Sequence, residues 1–135
     1  METRRELYAA IKAAIGRVDK VKHIDLWNHN VEFIEEEAGW DRPAVFVEFG
    51  AISWQPYVGG GYRGEGSVRL HIVTDWIEGG QEAAWDWIEK IRAAMEDVKG
   101  ERFHGLHLTE TLTNHNHEDI LESIEGFCFR CEALV

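Results

Sequence analysis

Apolar residues recur at three- and four-residue spacing in two stretches of the chain, and this periodicity predicts two amphipathic helices. The first spans about Glu2–Gly16, where Thr3 is the expected N-cap and Glu6 completes a capping box. The second spans about Gly80–Val98 and combines a continuous apolar stripe with a charged opposite face. Its stripe consists of Ala84, Trp87, Ile88, Ile91, Ala94, Met95 and Val98.

Alternation of apolar and polar positions predicts five strands, which gives the element order α-β-β-β-α-β-β. Connections between consecutive strands are short, except for an acidic one that contains Glu35, Glu36 and Glu37 and ends at Arg42-Pro43. Short connections favour antiparallel pairing, so the sequence predicts one α+β domain over residues 1–135, a mainly antiparallel sheet with two helices packed on it. The predicted strands are about Val21–Asn28, Ala44–Trp54, Ser67–Trp76, Leu106–Thr113 and Ile120–Leu134.

Two segments between strands are predicted to be irregular. Pro56–Gly66 contains five glycines in eleven residues, and a regular element would lose too much backbone entropy there. Asn114–Asp119 is a polar segment that reads as the turn between the last two strands. The second strand, Ala44–Trp54, has apolar residues on both of its faces, which indicates a strand covered on both sides.

Charge narrows the classes of function that the chain supports. The formal net charge is −11, made up of +3 over residues 1–22 and −14 over residues 23–135. Phosphate binding requires clustered cations, so no sequence-specific nucleic-acid partner is predicted. No membrane span or export signal is predicted, and two cysteines fit a reducing, cytoplasmic compartment. Either the acidic body meets the basic end of another copy, or the asymmetry belongs to a solvated surface.

Histidines near the last predicted hairpin are the candidates for metal chemistry. His104 and His107 form an HxxH pair near the start of a strand, and His115 and His117 form an HxH pair in the following turn. Zinc needs three or four convergent ligands, whereas three-residue spacing on a strand sends side chains to opposite faces. The sequence therefore predicts turn chemistry and no metal site, and His107, His115 and His117 are the candidates if a metal is bound.

Cys128 and Cys131 form a CxxC pattern inside a predicted strand. Residues three apart on a strand face opposite sides at a separation of roughly 10 Å, which is longer than a disulfide spans. Two ordinary buried thiols are therefore predicted. No motif for a catalytic site or a phosphate-binding loop is recognised, so we predict no catalytic residue and no cofactor.

Aromatic and arginine side chains in and beside the glycine-rich segment are residue types enriched at protein interfaces. This segment is either an arm that becomes ordered on a partner or a mobile hairpin tip. The basic first helix supplies further candidates. The predicted interface residues are Trp54, Tyr57, Tyr62 and Arg63 in the first group and Arg4 and Arg5 in the helix.

Four segments of the sequence, in this order of elements, carry a resemblance to a known family. They are HIDLWNHN (His23–Asn30), RPAVFVEFGAISW (Arg42–Trp54), GSVRLHIVTDW (Gly66–Trp76) and NHNHEDILESIEGFCFRCE (Asn114–Glu132). With them, and with its amphipathic N-terminal helix, the chain resembles the small tail-completion, or tail-terminator, proteins of long-tailed phages and prophages over nearly its whole length.

The resemblance implies a non-enzymatic structural protein that caps the tail tube as a ring of about six copies and joins the capsid neck. Its implied partners are further copies, tail-tube proteins and neck proteins, with no cofactor. It implies a location in the cytoplasm of the bacterial host, and in the virion tail after assembly. An acidic lumen would repel passing DNA, and a basic helix against an acidic neighbour suits head-to-tail packing. The alternatives are a metal- or small-ligand-binding domain built on the His-rich hairpin, or another neck or head-joining component of similar architecture.

Overall fold

Five strands form one sheet in the order β1-β2-β3-β5-β4, with two helices packed on it. The computed structural model describes residues 2–28, 41–75, 80–117 and 120–133, without the side chains of residues 114–117. The predicted α+β class and the order α-β-β-β-α-β-β are confirmed. The elements are α1 (Thr3–Gly16), β1 (His23–Leu26), β2 (Ala44–Pro56), β3 (Tyr62–Asp75), α2 (Gly80–Met95), β4 (Phe103–His117) and β5 (Ile120–Ala133).

Pairing in the sheet is antiparallel except at one edge. The β2–β3, β3–β5 and β4–β5 pairs are antiparallel, which confirms a mainly antiparallel sheet. Strand β1 pairs with β2 in parallel, with His23 opposite Ala44 and Leu26 opposite Val47. A parallel neighbour requires the chain to return to the same end of the sheet, and the long connection between β1 and β2 makes this possible. The predicted charge run Glu35–Glu37 lies in this connection, outside the described residues.

The main core lies between the two helices and one face of the sheet, which we call the helix face. Helix α1 contributes Leu7, Ile11 and Ile15, which follow the predicted spacing of three and four residues. Helix α2 contributes Ile88 and Ile91 to the same cluster. Alternate strand positions complete this core: Val45, Val47, Val68, Leu70, Ile72, Phe127, Phe129 and Cys131.

A second, smaller cluster covers part of the opposite face of the sheet. Ala44, Phe46, Val73 and Ile120 are buried there, and Trp27 packs against them. The first four residues of β2 are buried on both faces, as predicted for this strand, whereas its second half is largely exposed. The reason is length: β2 and β3 extend as a hairpin beyond the part of the sheet that the helices and Trp27 cover.

The start of α1 differs from the capping box that the sequence predicts. The N-cap is Glu2, whose carboxylate accepts a hydrogen bond of 3.1 Å from the backbone N–H of Arg4. Thr3 is buried in the first turn, and Glu6 accepts from the backbone N–H of Arg102, at 2.9 Å. Helix α2 ends at Met95, three residues before the predicted end, although the apolar side chain at position 98 stays buried.

The glycine-rich segment is mostly strand, so its prediction as a loop is wrong for residues 62–66. Only residues 57–61 form the turn, where three consecutive glycines, Gly59 to Gly61, have φ near +97°. Gly64 and Gly66 lie in β3 and leave room for aromatic rings from neighbouring strands. A Cβ at Gly64 would lie 2.8 Å from the Trp54 ring, and a Cβ at Gly66 would lie 2.6 Å from the Phe129 ring.

The last hairpin is also longer than predicted. Strand β4 starts at Phe103 and continues to His117, so the predicted turn over Asn114–Asp119 is wrong for residues 114–117. The remaining two residues of that turn lie outside the described part. The register of β4 against β5 shifts at three places, and one shift lies at Gly105, which has a φ of +66°. Such bulges break the regular alternation that marks a strand in sequence.

Candidate interaction surface

Two aromatic side chains of the β2–β3 hairpin form an exposed apolar surface on the helix face. Trp54 and Tyr62 each keep 43% of their surface exposed, because the helices end before this part of the sheet. The register puts Trp54 opposite Gly64, and Tyr62 opposite Pro56, so both rings lie on one face. Exposed aromatic rings of this kind are typical of contact surfaces.

The other two predicted hairpin residues lie on the opposite side. The guanidinium of Arg63 lies over the ring of Tyr57, 4.3 Å from its centroid, and together they border a groove on the opposite face. The groove has a volume of about 440 Å³ and a polar lining that includes Glu65, His104 and Arg130. The four predicted residues therefore divide between two surfaces, one apolar and one polar.

The two predicted arginines of α1 have different roles. Arg4 forms an ion pair with Glu2, at 2.9 Å, and belongs to the N-cap. Hydrogen bonds from the side chain and the backbone of Arg4 lower the pKa of the Glu2 carboxyl to about 2, and the same ion pair raises the pKa of Arg4. Arg5 is exposed and forms no ion pair with any other described residue. Of the two, Arg5 is the one available to a partner.

His104 and His107 of β4 share one face, which corrects the prediction that they point to opposite sides. The bulge at Gly105 places them opposite Arg130 and Cys128, which alternate onto the same face. His104 Nε2 lies 3.0 Å from a Glu132 carboxylate oxygen, and His107 Nδ1 lies 2.7 Å from the backbone carbonyl oxygen at position 105. Among the described residues, no group of three or more His, Cys, Asp or Glu is arranged to hold a metal ion. The side chains of His115 and His117 lie outside the description.

The two cysteines are free thiols on opposite faces of β5. Cys131 is buried in the core on the helix face, and burial, reinforced by the nearby Glu132 carboxylate, raises the pKa of its thiol. Cys128 lies on the opposite face and is only half-buried, so the prediction of two buried thiols is wrong for this residue. The predicted location of the pair in a strand is confirmed.

A cluster of three ionisable side chains on the opposite face is not apparent from the sequence. His71 Nδ1 lies 2.7 Å from Glu122 Oε2, and His71 Nε2 lies 2.9 Å from Glu48 Oε1. The Trp27 ring stacks on the imidazole at a centroid distance of 3.8 Å. A neutral imidazole has one N–H, so both contacts are hydrogen bonds only when His71 or one carboxyl group carries an additional proton. The cluster then has a net charge of −1 in either case.

This cluster is buried within the described part of the sheet. His71 is only 4% exposed, and the Trp27 ring covers its imidazole. A second buried carboxylate on the helix face, Glu125, accepts hydrogen bonds from Arg92 of α2 and from Thr111 of β4. In both clusters a charged residue occupies an inward-facing position of a strand. That position can be recognised only once the register of the strands is known.

Neither helix is long and apolar enough to cross a bilayer, within the ranges of the chain that the structure describes. No family model and no curated protein matches the sequence. A solved structure that the chain resembles is a component of the virion of a native gene transfer agent (GTA) particle. The two are 16% identical, with a TM-score of 0.45, over 96% of this chain and 91% of that chain.

Proposed function

We propose that this chain is a non-enzymatic structural subunit of a phage or prophage particle, which assembles with further copies at the junction of tail and head. The specific form of the proposal is a tail terminator, a ring that caps the tail tube and contacts the neck. Residues 1–135 act as one unit in it. The resemblance of the four sequence segments to tail-terminator proteins supports the assignment, and the surface of the molecule supports a role in assembly.

The observation that carries the assembly role is the apolar end of the β2–β3 hairpin. Trp54, Val58 and Tyr62 are exposed together on a hairpin that extends beyond the helices. A monomer gains nothing from exposing two aromatic rings and a valine at one end, whereas contact with a partner would bury them. The hairpin is therefore the arm that reaches an adjacent subunit or the tail tube.

Net charge supports the position beside DNA. A chain with a net charge of −11 repels a duplex of the same sign, so DNA passes through a ring of such subunits without binding. The buried cluster around His71 and the groove beside Arg63 have no assigned role in this function. A metal- or ligand-binding role for the His-rich hairpin would require ligands beyond those that the described residues bring together.

The test is complementation in a strain whose inducible prophage lacks the gene. We expect wild-type protein to restore particles with heads joined to tails, and the variant Trp54→Ser/Tyr62→Ser to leave heads and tails separate. A matched control is Leu112→Ser, because Leu112 is 42% exposed but pairs with Ile124 of β5, far along that strand from Ala133, which pairs with Tyr62. Complete particles in the absence of the gene would contradict the proposal.

A further inference from the structure

The two helices expose surfaces of opposite charge. Helix α1 exposes Arg5 and Lys12, seven residues apart on one side of the helix. The outer side of α2 exposes Glu82, Asp86 and Glu89 around one aromatic ring. That ring, Trp85, is 55% exposed, the largest exposure of any described tryptophan. None of these five charged groups forms an ion pair with another described residue.

The basic side of α1 lies at the β1 edge of the sheet. Helix α1 packs against α2 on one side and against β1 on the other. Burial raises the pKa of the Tyr8 hydroxyl, and the nearby carboxylate of Asp25 in β1 raises it further. The ammonium of Lys12 lies 5.8 Å from the Tyr8 ring centroid, and Arg5 is three residues before Tyr8. These residues therefore share the side that faces outward at this edge.

The acidic side of α2 lies at the other edge. Arg92 of α2 donates a hydrogen bond of 3.0 Å to the hydroxyl of Thr111, which belongs to the edge strand β4. Trp85 is seven residues before Arg92, two helical turns, so its side chain lies on the same side of α2. Glu82 and Glu89 are three and four residues from Trp85 and surround it on that side. The basic surface and the acidic surface thus lie at opposite edges of one sheet.

We infer that copies of this chain bind head to tail, with the Arg5–Lys12 side of α1 in one copy seated on the Glu82–Trp85–Glu89 side of α2 in the next. The inference rests on the proposed function and identifies the surfaces that meet. Unlike charges at opposite edges give every copy two complementary surfaces, and head-to-tail contacts of this kind form a ring when the rotation between neighbours closes. Trp85 at the centre of the acidic surface offers its ring face to an arginine or lysine of the neighbour.

Charge reversal tests this pairing directly. The variant Arg5→Glu/Lys12→Glu presents two acidic surfaces, and the variant Glu82→Lys/Glu89→Lys presents two basic ones. We expect each variant alone to remain monomeric over about 1 μM to about 1 mM in sedimentation velocity, and their equimolar mixture to assemble like the wild type. Trp85→Ser should weaken association roughly 30-fold. Assembly should also weaken as the salt concentration rises from about 0.05 to about 0.5 M.

A matched control separates this pairing from a general effect of charge. Asp97→Lys/Glu101→Lys reverses two exposed carboxylates that lie outside both surfaces and outside the hairpin, and it should assemble like the wild type. Assembly of either single-surface variant alone, or a strictly monomeric wild type at the highest concentration, overturns the inference. Neither result would contradict the proposed function, because the complementation experiment tests that function separately, by whether heads are joined to tails. Circular dichroism confirms that each variant is folded.

Discussion

Removal of the Arg92 side chain is expected to destabilise the protein far more than loss of an ordinary surface ion pair. Arg92 Nη2 donates to both carboxylate oxygens of Glu125, at 2.9 and 3.1 Å, and its Nε donates at 3.2 Å. Glu125 is fully buried, whereas the Arg92 side chain is 40% exposed. The variant Arg92→Ala therefore leaves a buried carboxylate whose remaining side-chain donor, within the described residues, is Thr111.

The size of the effect follows from the burial of the carboxylate. Removing one partner of a buried ion pair costs about 3 to 5 kcal/mol, whereas an exposed pair contributes about 0.2 to 1 kcal/mol. Because Arg92 is partly exposed, water can enter where its side chain was and solvate Glu125 in part. We therefore expect a loss near the lower bound, about 3 kcal/mol, which corresponds to a fall in Tm of about 10 °C for a chain of this length.

Urea unfolding followed by circular dichroism measures this loss, with Arg92→Leu/Glu125→Leu as the matched control. The double variant removes both charges, and apolar replacement of a buried pair is often neutral. We expect its free energy of unfolding to lie within about 1 kcal/mol of the wild-type value, although it changes one more residue than the single variant. A loss below about 1 kcal/mol for Arg92→Ala would refute the reasoning, because Glu125 would then behave as a solvated group.

Three further outcomes follow from the structure. Gly66→Ala should lower the free energy of unfolding by about 1 to 3 kcal/mol in urea denaturation, because the added methyl group would overlap the Phe129 ring. Gly16→Ala, with open space around it, should not lower it, and equal effects of the two changes would contradict the packing of Phe129 on Gly66. A thiol reagent should modify the half-buried Cys128 in the native protein before the buried Cys131. Because folding raises the pKa of the Cys131 thiol, the free energy of unfolding should also fall as pH rises above about 9. His71→Leu should lower the free energy of unfolding by about 3 kcal/mol in the same assay, because the buried Glu122 carboxylate loses its contact with the imidazole. An unchanged free energy of unfolding would contradict a stabilising role for this contact.

The order of the elements could be predicted because each element has a strong period. Leu7, Ile11 and Ile15 of α1 recur at helical spacing, and the β3 residues from Val68 to Val73 alternate, so one face of each element is visible in the sequence. The parallel pairing of β1 was not predictable in this way. The spacing of apolar residues shows which face of a strand is buried. The direction of a neighbouring strand depends instead on the path of the connecting chain.

Glycines caused two errors for a physical reason. Because glycine loses much backbone entropy in a regular element, Gly64 and Gly66 were predicted to lie in a loop. In the structure the rings of Trp54 and Phe129 pack where a Cβ would be, which favours glycine in the strand. Gly105 produces a bulge that puts His104 and His107 on one face, against the simple alternation rule. Both effects depend on residues from other strands, which local sequence patterns do not contain.

Buried charges were missed because local sequence does not reveal their partners. Glu125 and Arg92 are 33 residues apart, and His71 and Glu122 are 51 apart. In the sequence each of these residues reads as part of a solvated face, since charged side chains are rarely buried unless paired. Exposed aromatic residues were easier to identify, because residue type alone singled out Trp54 and Tyr62 as interface candidates, and both are exposed.

The most direct test of the central claim is to locate the chain in purified particles from the induced prophage by cryo-electron microscopy. The account predicts one closed ring of this chain at the end of the tail tube nearest the capsid, with the α1 side of each copy against the α2 side of the next. Particles with heads joined to tails that contain no copy of this chain would contradict it. So would copies distributed along the tube.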